Sequence, residues 1–444
     1  MLSWEYPPLI VGGLGRHVGA LSGELAAAGH EVRVVSRGGA GLRDATLEGV
    51  QVHRADVDPI DLSFTTESLL AWSQAFEHAL VRKALPLVRR WRPDVIHAHD
   101  WLVTQSAVTI ARFTDRPIVA TVHATEAGRH RGWLPAPLNR AVHSVERWLV
   151  HEATRVITCS SFMHDEVRRL FDVPETQIDV VPNGLDADAW RAPTAARLAA
   201  RARFDGDGPL IVFAGRLVHE KGVHTLLEAL PRLRREFPGV RLVVAGAGPL
   251  DDELRARSGG LAVRWAGFVP AGELAALLGA ADVVVLPSLY EPSGLVALEA
   301  AAAGAPLAVA DTGGLRDVVE PGITGLRFTP GDGSALGDAV LRLLRDPAAA
   351  RRMAEHAQQV ARRDRSWSAV AARTAGTYAR ATASGRVVPA VTDHPGRDAD
   401  RHSVGGHVAT HHSVRADHSA VADPDAANDG RLGTKPDVVA DPHG

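Results

Sequence analysis

The run Leu286-Pro287-Ser288-Leu289-Tyr290-Glu291-Pro292-Ser293-Gly294-Leu295-Val296-Ala297-Leu298-Glu299-Ala300-Ala301-Ala302-Ala303-Gly304 decides how this chain reads. It begins as the end of an apolar run, Val283 to Leu286, that has the character of a buried strand and turns at Pro287. Near Gly294 alanine and leucine take over, and both are good helix formers. Glu291 therefore falls on a strand-to-helix turn, and Glu299 in the second turn of the helix. Backbone N–H groups at a helix start favour anions and polar ligands. An acid on each side of such a start can accept hydrogen bonds from hydroxyls. The combination suits a phosphate in the middle with hydroxyls at both ends, as in a nucleotide sugar.

Outward from this run, the chain alternates strand and helix patterns. In the first half, strand-like runs are Met1 to Trp4, Glu31 to Ser36, Val95 to Ala98, Ile118 to Val122, Val156 to Thr158 and Ile178 to Val181. A second series holds Leu210 to Ala214, Arg241 to Ala245, Val263 to Trp265, Val283 to Leu286 and Leu307 to Ala310. Strands spaced by helices predict parallel βαβ units and doubly wound sheets. The 444 residues exceed one ordinary core, so two domains are expected. The expected boundaries are 1–190 for an N-terminal domain, 191–208 for an Ala-, Arg- and Asp-rich linker and 209–365 for a C-terminal domain. A helix at 366–382 is expected to pack back on the N-domain. Residues 383–444, with seven histidines and no apolar period, are expected to be disordered. The first strand is short, and the reading expects the true start a few residues upstream.

Composition narrows the function classes. A net charge of −3 makes no electrostatic case for nucleic acid. One cysteine, Cys159, excludes an internal disulfide and a Cys-rich metal site. No apolar run approaches the roughly 18 residues of a bilayer span. Met1 to Glu5 lacks the basic and apolar regions of a signal peptide, so the expectation is a cytoplasmic enzyme. Among 49 basic residues only Lys83, Lys221 and Lys435 are lysines. Of these, Lys221 falls in a motif.

That motif is Phe213-Ala214-Gly215-Arg216-Leu217-Val218-His219-Glu220-Lys221-Gly222-Val223. It places Arg216 and Lys221 on the loop leaving a buried strand, where open α/β sheets bind ligands. Two cations there can neutralise a diphosphate. Gly12-Gly13-Leu14-Gly15 precedes a helix, and its glycines allow close backbone approach to a phosphate or sugar, or simply a tight turn. His97-Ala98-His99-Asp100-Trp101 and Thr121-Val122-His123-Ala124-Thr125-Glu126 close two further strands. His97 and His99 share one strand face, but no further ligand cluster follows at metal spacing, so no metal is expected. Asp56-Val57-Asp58, Asp186-Ala187-Asp188 and Asp398-Ala399-Asp400 do not close buried strands and read as chance. The amphipathic stretch Leu138 to His151, with Arg140, Arg147 and Trp148, is expected to pack on the first sheet, with weak peripheral membrane contact as the alternative.

Together these residues resemble the retaining glycosyltransferases of family GT4, which have the GT-B fold: two doubly wound Rossmann-like domains facing a deep cleft. The likeness covers about residues 1 to 382. It rests on R-x(4)-K at Arg216 and Lys221 and E-x(7)-E at Glu291 and Glu299. Ser3-Trp4-Glu5-Tyr6-Pro7-Pro8 with Gly12-Gly13-Leu14-Gly15-Arg16-His17-Val18, H-A-H-D-W and H-A-T-E-A-G-R-H are similar to the actinobacterial glycogen-synthase-like α-1,4-glucosyltransferase branch. The resemblance implies that Arg216 and Lys221 hold a donor diphosphate and that Glu299 binds its ribose hydroxyls. It implies that Glu291 holds the transferred sugar beside the backbone of Ser293, Gly294 and Leu295, with His123 near the reaction centre. Gly12 and Gly13 would approach the phosphate, and Phe268 and Val269 would meet the base. Asp100, Glu126 and Asn183 would face sugar or acceptor. The implied partners are a nucleoside-diphosphate glucose, with UDP or ADP as the nucleotide, and an α-glucan, with no cofactor. A GT4 mannosyl- or glucosyltransferase with a lipid or small-molecule acceptor, and a non-catalytic glucan-binding regulator, are the alternatives. Ser293 stands where the motif commonly has an aromatic residue, and no lysine precedes Gly12-Gly13-Leu14 as in ordinary glycogen synthases.

Overall fold

Fourteen strands form two separate sheets in a computed structural model that describes residues 1–9, 13–39, 41–65, 67–204 and 207–384. The first sheet holds β1 (Leu2–Ser3), β2 (Arg33–Arg37), β3 (Ala45–Leu47), β4 (Val50–Ala55), β5 (Ile96–His99), β6 (Ile118–Val122), β7 (Arg155–Thr158) and β8 (Ile178–Val180). Its order is β3-β4-β2-β1-β5-β6-β7-β8, parallel except for the β3–β4 pair. The second holds β9 (Leu210–Ala214), β10 (Arg241–Ala245), β11 (Val263–Gly267), β12 (Val283–Leu286), β13 (Leu307–Ala310) and β14 (Leu326–Phe328). Its order is β11-β10-β9-β12-β13-β14, parallel throughout. Both sheets reverse direction of growth beside their first strand, at β1/β5 and at β9/β12. Crevices form at the carboxyl ends of strands at such switch points. Both sheets lie in one compact unit; Leu62–Leu69 belongs to a second unit, where Ser68 Oγ accepts from Thr65 N at 2.8 Å.

Burial on both faces makes the strands near-continuous apolar runs. Leu210 to Ala214 and Val283 to Leu286 are wholly buried. In the first sheet, sequence neighbours point to opposite cores: Val34 and Val35, Val119 and Ala120, Val156 and Ile157. The helix Trp367–Ala383 returns to that sheet. Its Val370, Ala371 and Ala381 pack with Val18, Leu21 and Leu25 of the helix Gly13–Ala27.

Several expectations need correction. Residues 191–208 are not a plain linker, because Thr194–Ala202 is a helix. No residue of it is buried. It holds by arginine instead: Arg197 Nε donates to the Gly279 carbonyl at 2.6 Å, and Arg201 Nη1 to that of Ala280 at 2.9 Å. Those carbonyls end the helix Ala271–Ala280 and lack intrahelical partners. The strands β3, β4 and β14 are additional to those expected. The helix Pro137–Glu152 buries Val142, Leu149 and Val150, and the latter two join the core of the first sheet. Its apolar face thus packs on the first sheet, as expected, while Trp148 stays 39% exposed. No helix among the described residues is long and apolar enough to cross a membrane. Gly12 and the segment 385–444 lie outside the described residues.

Candidate active site

The decisive turn runs as its sequence suggests. Gly294 takes a left-handed conformation (φ 70°) and caps the helix Leu295–Ala302. Gly313 (φ 54°) packs so tightly on the Glu291 carbonyl that a Cβ there would collide with it. Gly314 N donates to that same carbonyl at 2.7 Å. The Glu291 loop is thus pinned by backbone, and its side chain faces Lys221. Lys221 Nζ lies 2.7 Å from Glu291 Oε2, which also accepts from Ser288 Oγ at 3.2 Å. Arg216 is exposed on the loop after β9 and makes no ion pair among the described residues.

Glu299 is buried and meets the opposite domain. Arg16 Nη1 of the helix Gly13–Ala27 lies 3.2 Å from its Oε1. Burial outweighs that cation and pushes the Glu299 carboxyl up to about 7. A carboxyl raised in the folded state favours folding most below its ordinary value of 4.5 and loses that advantage as pH rises through 7. Glu299→Gln should therefore be more stable than wild type at pH 8, by roughly 1–3 kcal/mol, with the gap closing towards pH 4.5. Urea unfolding at both pH values checks this. An unchanged gap would contradict the burial argument.

Gly13 opens its helix directly opposite the other one. A Cβ on Gly13 would sit 3.2 Å from Leu295 Cδ1. Two helix starts, Gly13 and Leu295, thus converge across the cleft beside Lys221 and Glu291. Exposed N–H groups from both, with Arg216 and Lys221, can stabilise a diphosphate.

Behind Gly13 lies a group of histidines. His17, His99 and His123 bring one ring nitrogen each within 4.8 Å of one another. His99 Nδ1 is 3.3 Å from His123 Nε2, and His17 Nδ1 is 2.9 Å from Asn183 Oδ1. Burial lowers the pKa of His123 to about 4 and that of His17 to about 3, so both rings are neutral near pH 7. Asp100 holds the main chain of His123, accepting from its N–H at 2.8 Å. It does so from a strained backbone (φ 62°, ψ 176°), a region that non-glycine residues seldom enter. Burial raises its carboxyl to about 6.

Not every expected residue reaches the cleft in the expected way. Asn183 is buried, and its oxygen accepts from His17, so it positions that ring. Glu126 Oε1 accepts from Asn139 Nδ2 at 2.6 Å and sits 3.3 Å from His130, which turns it towards its own domain. Phe268 and Val269 follow the edge strand β11, and Phe268 is 82% exposed, open to stacking. His97 is no ligand candidate: its nitrogens bond Tyr378 and Thr121, both at 2.7 Å.

Other contacts cross the cleft between residues outside the expected site. Tyr290 Oη lies 2.8 Å from Glu166 Oε1 and accepts from Thr125 N at 3.3 Å. Ser160 Oγ donates to the Pro292 carbonyl at 2.6 Å, and Ser161 Oγ to Asp317 Oδ1 at 2.6 Å. These polar residues are unremarkable alone, and only the fold brings them together. Tyr290→Phe removes one buried hydroxyl between the domains and leaves Glu166 short of a partner. It is expected to cost about 1–2 kcal/mol, seen as a lower thermal midpoint. An unchanged midpoint would show that the clasp adds nothing.

The fold and site define a GT-B glycosyltransferase. The family model described as glycosyltransferase family 4 matches residues 11–189, and that of the group 1 glycosyl transferases matches residues 196–360. The chain is 48% identical over 395 residues to a glycogen synthase of Mycobacterium tuberculosis, covering 85% of this chain and 93% of that protein. It is 35% identical to a D-inositol 3-phosphate glycosyltransferase of Frankia alni, covering 76% and 86%. Among solved structures, sucrose-phosphate synthase from Thermosynechococcus elongatus superposes with a TM-score of 0.73 at 25% identity, covering 84% and 94%. The chain belongs to glycosyltransferase family 4 and is an enzyme of that class.

Proposed function

We propose that the protein transfers glucose from a nucleoside-diphosphate glucose to the 4-hydroxyl of an α-1,4-glucan, with retention at the anomeric carbon. The observation that carries the donor half is the meeting of two helix starts beside the Lys221–Glu291 pair, with Glu299 in the helix that Leu295 opens. The diphosphate sits at the helix starts, Glu299 accepts from the ribose hydroxyls, and Glu291 from those of the transferred glucose. As the glycosidic bond lengthens, negative charge grows on the leaving phosphate. Arg216, Lys221 and the N–H groups stabilise that charge more in the transition state than before it. The sugar passes through an oxocarbenium-like state, and the acceptor arrives on the face the phosphate leaves. The departing phosphate takes the acceptor proton. The reaction needs no cofactor in this reading. His123 and Asp100 line the sugar side, where a closed cleft excludes water and favours transfer over hydrolysis.

The glucan half is supported by the likeness to the mycobacterial glycogen synthase over nearly its full length. The inositol-phosphate enzyme favours a small-molecule acceptor as a second reading. We place the reaction in the cytoplasm, where nucleotide sugars are made. The test is incubation with UDP-glucose, ADP-glucose and GDP-mannose, with and without maltooligosaccharides, following nucleotide release and product size. Glucan-dependent release with one-glucose extension supports the proposal and names the donor. Release that ignores glucan but responds to a small phosphorylated acceptor supports the second reading.

A further inference from the structure

The histidine group beside the cleft has features that sugar binding does not require. His99 is buried, and its Nε2 has no hydrogen-bond partner among the described residues. With no partner at that outer nitrogen, nothing fixes the tautomer of the ring, and Nδ1 is free to serve as a ligand. The hydrogen bonds of the three rings are to one amide and to one another, with no carboxylate among them. The 3.3 Å between His99 Nδ1 and His123 Nε2 is the separation of two nitrogens on a tetrahedral ion with bonds of about 2.0–2.1 Å. The Asn183 oxygen takes the Nδ1–H of His17 and leaves its other nitrogen bare, as outer-sphere partners of metal-bound histidines do. His97 packs on His99 with ring centres 4.1 Å apart and its own nitrogens occupied.

We propose that His17, His99 and His123 form a binding site for a divalent ion of borderline softness, Zn²⁺ in particular, and that its occupancy inhibits the enzyme. Imidazole donors select Zn²⁺ over Mg²⁺ and Ca²⁺, which require oxygen. All three ligand atoms lie within 4.8 Å, so small ring rotations close the site and leave a fourth position for water. The proton now shared by His99 and His123 moves to the outer nitrogen of whichever ring carries it, and none is released. Inhibition follows because the ion withdraws His123 from the sugar. This second part rests on the functional reading above; binding itself does not.

The test uses the full chain and Zn²⁺ alone, with Mg²⁺ as control, by thermal unfolding. Zn²⁺ at about a hundred times its dissociation constant is expected to raise the wild-type midpoint by roughly 3 °C or more. His99→Gln and His17→Gln should lose that rise. The seven histidines beyond residue 384 are the same in every protein compared, so ions bound there act on all alike. No rise in wild type, or an equal rise in the variants, overturns the proposal. Should the variants not fold, wild type with Co²⁺ decides: strong visible bands of a four-coordinate ion support the site, and only weak six-coordinate bands overturn it. Turnover in the same Zn²⁺ should fall at least tenfold and return with a chelator. Binding with unchanged turnover overturns the inhibitory part alone. Absence of turnover under all conditions is a failure of the functional reading, and the unfolding result still decides the site.

Discussion

Lys221→Ala is expected to lower kcat/KM by about 10³-fold, mostly through kcat, in a protein that remains folded. Two effects add. The ammonium is a full charge beside converging helix starts, where the leaving phosphate gathers charge. Removing a single such donor in a preorganised site typically costs about 10²–10³ in rate. The substitution also strips Glu291, whose side chain is only 11% exposed, of the cation 2.7 Å away. Leaving a buried carboxylate without its partner disturbs the group expected to hold the sugar. Lys221→Arg should rescue poorly, because the larger guanidinium enters a loop whose next residue, Gly222, is packed against the Pro287 carbonyl. Steady-state kinetics of both variants, with circular dichroism to confirm folding, measures this. Turnover within fivefold of wild type for Lys221→Ala would remove Lys221 from the mechanism.

His123→Ala is the second large effect. Its loss should lower kcat by about 10²–10³-fold while donor affinity changes less, because the ring serves the sugar end and not the phosphates. The pH behaviour is the sharper signature. With its pKa drawn down to about 4 by burial, the ring is neutral from about pH 5 upward, so wild-type kcat should show no acid limb from His123 near pH 6.5. The corresponding stability contribution is complete above 6.5 and is lost as pH falls through 4, with His17 acting in the same direction. A kcat profile that falls below pH 6.5 in wild type and flattens in His123→Ala would show that the ring works as a titrating acid or base instead.

The elements that were legible in the sequence share one physical trait. Strands β9, β10, β12 and β13 are buried on both faces, so each appears as an apolar run, behind Arg241 in β10, with observed bounds equal to those expected. Strand β4 escaped because it alternates: Val50 and Val52 are buried, while Gln51 and His53 are partly open. A continuous apolar run marks a strand covered on both faces, and alternation marks a half-covered one. Strand β3 is exposed throughout and exists only by pairing with β4, which local sequence cannot reveal. The helix Thr194–Ala202 hid for a related reason, since arginine bonds and not apolar residues dock it.

The site divides the same way. Arg216, Lys221 and Glu291 lie on turns after strands of one sheet, with Glu299 in the helix that follows, and chain position plus topology places them at the cleft. Partners from the other domain could not be foreseen, because Arg16 meets Glu299 across 283 positions. The contacts of Asn183 with His17 and of Glu126 with Asn139 depend on side-chain directions that a motif does not carry. His17 was in plain view in Gly15-Arg16-His17-Val18, but its convergence with His99 and His123 is a tertiary fact.

The most direct test of the central claim is the anomeric configuration of the new linkage. The protein is incubated with a maltooligosaccharide and the nucleotide glucose it accepts, carbon-13 labelled in the glucose, and the product is followed by NMR from the first turnovers. A labelled residue joined α-1,4 at the non-reducing end is the predicted result. A β-linkage, or labelled free glucose with no extension of the glucan, would contradict it.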